Sequence, residues 1–575
     1  MPIALASHFS PKASRTQIIF WFSLSLTVAA VLGVICLQQA FSSDSVVQDD
    51  ARQHVFWMRR FLDPALFPND LIADYFQSVA PAGYTTLYWI FAKLGIDPIV
   101  FSKLLPIGLG LILTAYCFGV SMQILPVPLA AFVSTLLLNQ CVWMKYDVSS
   151  GTPRAFAFPL LLAFAYYLLK RDAENDFWKA LLPCLGTIAL LGLFYPHLVF
   201  IAAGILILRL VRWQEGRLQL SRDRRDWGFS AAGLAIAVLI LLPYALESSQ
   251  FGPAISAAEA KLSPEFWSKG RAPFFDTRDP IDYWLFSRGS GFFPRELPWL
   301  VQVGWLLPVL LIWRDRVPLI QQTTRGVALL PQLVLASLGM FLLAHLVLFK
   351  LHLPNRYTGI SLRIALSIAA SLVLVASLDA LMRWLDQKRQ PLLAWAAVGL
   401  VAIVLVFYPT TLRRFPNPRY VVGTEPALYQ FYAQQPKDTL TASLSPEADN
   451  LPTFSQRSTL AGREYGVPYQ VGYYRQIRQR AEQLIAAQYS PTLAAAQQVI
   501  QTYGVDFWLL DLTAFDAEYV TDHDWLKSFP KFREQALKQL AVQPPALAKL
   551  VGHCNAFESD RIVVLRADCI ATSHF

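Results

Sequence analysis

The chain has 575 residues, 55% of them hydrophobic and only 15% charged, and its mean hydropathy is +0.39. A water-soluble globule of this length is never so apolar, so the composition points to a polytopic membrane protein and excludes a soluble enzyme. The net charge of +9 calls for no nucleic-acid partner, because its basic residues fall between apolar runs, where positive charge marks the cytoplasmic side.

A helical span takes ~20 apolar residues, and about eleven such stretches are present, near 17–40, 99–120, 127–144, 154–170, 179–194, 196–211, 228–246, 299–313, 327–349, 361–381 and 391–409. The first is long and no small-residue cleavage pattern follows it, so it reads as a retained anchor. Directly after it stands Asp49-Asp50-Ala51-Arg52-Gln53-His54. Helical spacing puts Ala51, Val55, Met58 and Leu62 on one face and Asp49, Arg52, Arg59 and Asp63 on another, an amphipathic segment suited to the membrane surface. Two adjacent acids before a helix are an ordinary capping arrangement. They are also what an enzyme acting on a lipid headgroup needs at this depth. The run from Ala80 to Phe91 is apolar but too short to cross, and reads as a second interfacial helix with Tyr88 and Trp89 at headgroup depth.

The tract 179–211 is too long for one span, and Tyr195-Pro196-His197 divides it into a hairpin. With this division and the N-terminus inside, Arg209, Arg212, Arg217, Arg222, Arg224 and Arg225 are cytoplasmic, while the 41–98 loop, the 247–298 loop and everything beyond about residue 410 lie on the outer face. Lys145, Arg154, Lys350, Arg356 and Arg363 then violate the charge rule. Any one of them could simply snorkel. Several together suggest an anion held at the outer face, and guanidinium groups suit phosphate oxygens. The 247–298 loop alternates Phe266-Trp267, Phe274-Phe275, Tyr283-Trp284 and Phe292-Phe293 with Lys269, Arg271, Arg278, Asp279, Asp282 and Arg288. That pattern fits a sugar or lipid-phosphate site, and equally a loop lying on a bilayer.

Beyond residue 410, Pro416, Pro418 and Pro426 mark a linker into a soluble α/β domain, so the expected division is 1–411 and 412–575. Strands are expected at 439–444, 505–510 and 562–565, and helices near 472–488, 491–503 and 524–541. This part holds no Gly-rich phosphate loop or nucleophile elbow, which assigns it binding or support. Its Cys554 and Cys569 are free to form a disulfide, whereas Cys36, Cys117, Cys141 and Cys184 lie in apolar spans and read as packing residues.

The segment Asp49-Asp50-Ala51-Arg52-Gln53 resembles the Asp-Glu-x-Arg-Tyr pattern that follows the first span of GT-C-type glycosyltransferases. These membrane enzymes use polyprenyl-phosphate sugars and include the protein mannosyltransferase and lipid A aminoarabinose transferase branch. Gln53 replaces the tyrosine. Pro81-Ala82-Gly83-Tyr84 and Leu87-Tyr88-Trp89 loosely resemble the family's Pro-Pro-Leu-Tyr-Tyr segment. The resemblance implies a GT-C-like helical membrane protein with an exoplasmic C-terminal domain, transferring a sugar with inversion from a lipid-phosphate donor to a lipid, glycan or protein acceptor. It makes Asp49 the base, Asp50 its acidic neighbour and alternate, and Arg52 the family's arginine. His54, Arg154, Arg288, Arg356 and Tyr357 join Arg52 as candidate substrate-binding residues. A metal is optional where Arg and Lys neutralise the phosphate, though two adjacent acids could bind a divalent cation. A lipid or saccharide transporter and a non-catalytic scaffold of the same fold are the alternatives.

Overall fold

Apolar runs of this length can satisfy their backbone in hydrocarbon only as helices, and the expected runs are helical, except that 299–313 is 3-10 turns Trp299–Leu306 followed by the short helix Leu307–Ile312. The computed structural model describes residues 13–173, 177–214, 217–246 and 249–574. The start of the expected 1–411 unit and the first two residues of the expected 247–298 loop lie outside the described residues. In chain order the main helices are α1 (Arg15–Ala40), α2 (Ala51–His54), α3 (Leu71–Ser78), α4 (Ala82–Lys93), α5 (Pro98–Ile124), α6 (Pro128–Trp143), α7 (Ala157–Ala173), α8 (Phe177–Phe194), α9 (Val199–Arg209), α10 (Arg224–Leu246), α11 (Leu329–Leu346), α12 (Asn355–Gln387), α13 (Pro391–Phe407) and α14 (Val471–Gln488). Among the described residues, six helices are long and apolar enough to cross a membrane, and four shorter apolar helices accompany them.

Helix α12 is the axis of the bundle. It is buried along most of its 33 residues and packs on α6, α11 and the 3-10 turns Trp299–Leu306. Small and hydroxyl-bearing residues permit this close approach, as is usual where lipid supplies no hydrophobic drive between helices. A Cβ added to Gly304 would stand 2.8 Å from the Leu366 carbonyl oxygen of α12. Ser371 of the same helix donates to the Ala130 carbonyl at 2.5 Å. Gly192 lies against Val199 and Ile240, and Gly233 against Ile188 and Leu206, so α8 and α9 run antiparallel about the Pro196–Leu198 turn, as the sequence requires.

Strand β1 (Val46–Gln48) follows the first helix. The hairpin β2 (Val211–Gln214) and β3 (Arg217–Leu220) joins α9 to α10, and β4 (Tyr420–Val422) pairs antiparallel with β1. The proline-marked stretch near 416–426 is therefore no free linker. It is stitched to the first loop, where the Pro418 carbonyl also accepts from Gln48 Nε2 at 3.3 Å. Beyond it, β5 (Leu440–Ser443), β6 (Ser458–Thr459), β7 (Phe507–Asp511), β8 (Asn555–Glu558) and β9 (Ile562–Arg566) form one sheet in the order β6-β5-β7-β9-β8. The first two pairings are parallel and the last two antiparallel. A disulfide joins Cys554 to Cys569.

Two expectations about the first loop are corrected. Its amphipathic segment is a single turn, α2, followed by 3-10 turns Phe56–Phe61, and its polar face meets the C-terminal part of the chain. Arg52 reaches Asn450 and Arg59 reaches Thr453. The apolar face, Ala51, Val55 and Met58, is fully buried, and only Leu62 of that set stands exposed. In α4, Trp89 is exposed but Tyr88 is buried and donates its hydroxyl to the Gly151 carbonyl at 2.7 Å. It is a packing residue.

Candidate active site

Asp49 and Asp50, in the turn between β1 and α2, take different partners. Asp49 accepts from Arg52 Nη2 at 2.6 Å. The same guanidinium reaches Glu464 Oε2 and Asn450 Oδ1, each at 3.1 Å. Glu464 also accepts from Arg271 Nη2 at 2.8 Å and from Gln53 Nε2 at 2.6 Å. One buried carboxylate thus ties the first loop, the 249–298 segment and the C-terminal part together. Burial, with help from Asp49 and Asp449, pushes Glu464 up to about 7, against the pull of Arg271 and Arg52. Asp449, also buried, is pushed up to about 6.

Asp50 occupies the capping position of α2, but its side chain bonds none of that helix's N–H groups. The capping reading of the acid pair therefore fails. Its carboxylate pairs with Arg154, whose Nε stands 3.5 Å from Asp147. Asp147 in turn takes a 2.8 Å bond from Arg363 Nη1, and both side chains of that pair are almost wholly buried. Gly151 sets this connection. Its φ is +60° and a Cβ there would stand 2.7 Å from the Ser102 carbonyl oxygen, so the turn that delivers Arg154 needs glycine. Burial pushes the Asp50 carboxyl up, but Arg154, His54, Arg356 and Arg271 outweigh it and hold it below the usual carboxylate range.

Arg356, two turns before Arg363 on α12, lies at the centre of this cluster. Its charge bears on Asp50, His54, Lys145, Asp147, His352 and Tyr469. Among the described residues it has no ion pair, and its buried Nε has no acceptor. Burial, opposed by Asp147 and aided by the surrounding arginines, pushes Lys145 down to about 7.

No family model matches the sequence, and no curated relative matches it. Solved structures do. The apo oligosaccharyltransferase of Archaeoglobus fulgidus superposes with a TM-score of 0.54 at 12% identity, over 91% of this chain and 72% of that one. The fold is that of an archaeal oligosaccharyltransferase. The same enzyme, AglB, in complex with an inhibitory peptide and a dolichol-phosphate gives 0.53 at 12% identity, over 90% and 72%. ArnT from Cupriavidus metallidurans in the apo state gives 0.47 at 12%, over 97% and 99%. The fold expected from the first loop's resemblance is thus matched by that of the archaeal oligosaccharyltransferase.

The structure brings together Asp50, His54, Arg154 and Arg356 of the residues singled out from sequence, and sets Asp49 with Arg52 in the adjoining clamp. Arg288 is exposed; its carbonyl accepts from Asn355, and its charge bears on Tyr469. Tyr357 is fully buried and spends its hydroxyl on the Leu351 carbonyl at 2.9 Å. Of the five basic residues on the wrong side by charge, Lys145, Arg154, Arg356 and Arg363 converge here, while Lys350 stays in solvent. Sequence reading missed Asp147, His352, Asn450 and Glu464, and left Arg271 as one of the charges interleaved with aromatic rings in the 247–298 loop. Asp147 alone carried a local signal, as a carboxylate between two violating cations.

Asp49, Asp50, Asp147 and Glu464 are each paired with a guanidinium. Among the described residues no group of three or more His, Cys, Asp or Glu side chains is placed to hold a metal ion. A divalent cation between Asp50 and Asp147 would have to displace Arg154.

Proposed function

We propose that this chain is an integral membrane glycosyltransferase that moves a sugar from a polyprenyl-phosphate donor to an acceptor on the outer face, with inversion at the anomeric carbon. The observation that carries this reading is Arg356, a permanently charged fork with a buried, unpartnered nitrogen, beside Arg154 and facing Asp50. A half-buried cation without a partner is costly, and a guanidinium fork matches phosphate oxygens. The AglB complex, of the same fold, is described as holding a dolichol-phosphate, a lipid phosphate of this class.

In the proposed step the acceptor hydroxyl oxygen attacks the anomeric carbon, and the carbon–oxygen bond to phosphate breaks. The phosphate leaves with the bonding pair, held by Arg356 and Arg154. The hydroxyl proton passes to Asp50, whose depressed carboxyl is ionised at neutral pH. Arg154 has five donors and contacts Asp50 with only one nitrogen, so it can bridge base and leaving group at fixed separation. Asp49, held by Arg52 and Glu464, positions the loop. No step requires a metal.

The outer-face assignment, and a division into a membrane part up to about residue 411 and an exoplasmic part from 412, find support in the Arg209–Arg225 cluster at the far end of α9 from His197. A disulfide at Cys554–Cys569 likewise suits an oxidising compartment.

The test is binding and turnover of labelled polyprenyl-phosphate sugars by membranes carrying the chain. Arg356→Ala is expected to weaken polyprenyl-phosphate binding about tenfold or more, and Arg356→Lys, which keeps charge but loses the fork, by less. Binding indifferent to both variants, with label carried across the membrane but never transferred to an acceptor, would favour a transporter.

A further inference from the structure

Beside Arg356 four rings stand in a row drawn from three distant parts of the chain. Tyr195 and His197 come from the turn between α8 and α9, His352 from the connection into α12, and Tyr469 from the C-terminal part. Successive ring centroids are 5.5, 4.9 and 5.6 Å apart. His352 holds a left-handed backbone, φ 61°, a conformation that non-glycine residues adopt rarely and most often at functional positions.

A row of rings could be packing, but its polar atoms argue otherwise. Among the described residues, neither the Tyr195 and Tyr469 hydroxyls nor the His54, His197 and His352 imidazoles have a side-chain hydrogen-bond partner, and none is among the residues holding further contacts. His197 Nδ1 is buried outright without one, as is Arg356 Nε. Native proteins leave few buried groups unpaired; in the row His197 Nδ1 is one, and the charge of Arg356 bears on its ring.

We infer that the row Tyr195, His197, His352 and Tyr469 is the subsite for the donor's sugar, and that it takes an uncharged, polyhydroxylated sugar rather than an amino sugar. This rests on the phosphate reading of Arg356. The chemistry of the orphaned atoms selects the ligand. Burial, opposed by Asp50 and aided by Arg154, Arg356 and Arg271, pushes His54 down to about 4, and burial with His197 and Arg356 pushes His352 well below its ordinary value. The rings are therefore neutral at physiological pH, and each imidazole offers one donor and one acceptor. A second phosphate could use only the donors. Sugar hydroxyls use both, and the C–H face of a pyranose stacks on rings. An ammonium group would meet Arg154, Arg271 and Arg356, whose charges all bear on this group of rings.

The test compares probes on the full-length chain in detergent: bare polyprenyl phosphate; the same lipid carrying glucose, mannose, galactose or N-acetylglucosamine; and the lipid carrying 4-amino-4-deoxyarabinose. At least one neutral sugar is expected to tighten binding over the bare lipid. His352→Phe and Tyr469→Phe, which keep the rings, are each expected to reduce that gain about three- to tenfold while leaving affinity for the bare lipid within about twofold. Tyr469→Phe removes one oxygen only, and retained bare-lipid binding certifies the fold. A gain untouched by both variants, absent for every neutral sugar, or confined to the amino sugar overturns the inference. Bare-lipid affinity that ignores Arg356→Ala would instead remove the phosphate reading beneath it, a result separable from any change in the sugar gain.

Discussion

Asp50 has helical backbone angles, φ −69° and ψ −22°, while Asp49, one residue past β1, still donates its amide to the Arg419 carbonyl. The Asp50 carboxylate meets Arg154 and that of Asp49 meets Arg52. The sequence showed two adjacent acids after the first apolar run, but adjacency could not show which of them meets Arg154. The resemblance favoured Asp49, and the geometry favours Asp50. Asp50→Asn is accordingly expected to lower transfer ~100- to 10,000-fold, the usual worth of a general base, with donor binding retained, because Asn keeps the shape and loses the proton acceptor. Asp49→Asn leaves Arg52 bonded to Glu464 and Asn450 and is expected to cost less than about tenfold. Initial rates of label transfer with matched donor-binding curves decide the matter: a larger loss at Asp49 restores the family's assignment.

At the scale of elements, what composition and period dictate was legible: the apolar helices, the hairpin at Pro196, and the strands at 440–443 and 507–511 inside a mixed sheet. What pairing over hundreds of residues dictates was not. The β1–β4 ribbon and the Glu464 clamp join positions with no common local pattern, and the clamp places a C-terminal residue against the first loop that sequence had assigned only to support. Its chemistry gives a pH dependence with a definite sign. Glu464 is raised from its ordinary 4.5 to about 7, so the folded chain keeps a proton that the unfolded chain releases over that interval. The stability this group contributes is full below about 4.5 and lost as pH rises through about 7. Thermal unfolding of the detergent-solubilised chain is expected at a lower midpoint near pH 8 than near pH 5, and Glu464→Gln is expected to flatten part of that slope. Asp449, raised in the same direction, keeps the remainder. Equal slopes in wild type and variant would show that Glu464 is ionised throughout.

Across the whole molecule, the polar cluster and the basic hairpin occupy opposite ends of the same helices. Helix α9 begins beside His197, whose ring neighbours His352 in the cluster, and ends at Arg209, one residue before β2. Its partner α10 starts among exposed Arg222, Arg224 and Arg225. In the orientation proposed from positive charge, the site, the disulfide and the five-stranded sheet would lie together on the outer side. Single engineered cysteines test this cleanly, because Cys36, Cys117, Cys141 and Cys184 are buried and the other two are bonded to each other. In sealed cells a membrane-impermeant maleimide is expected to label Leu262→Cys and Val542→Cys, whose positions are 86% and 81% exposed. Arg224→Cys is expected to react only after permeabilisation. The reverse pattern would turn the chain over in the membrane, bring Asp50 and Arg356 to the cytoplasmic face, and require a donor presented from inside the cell, so the orientation and the chemistry stand on one measurement.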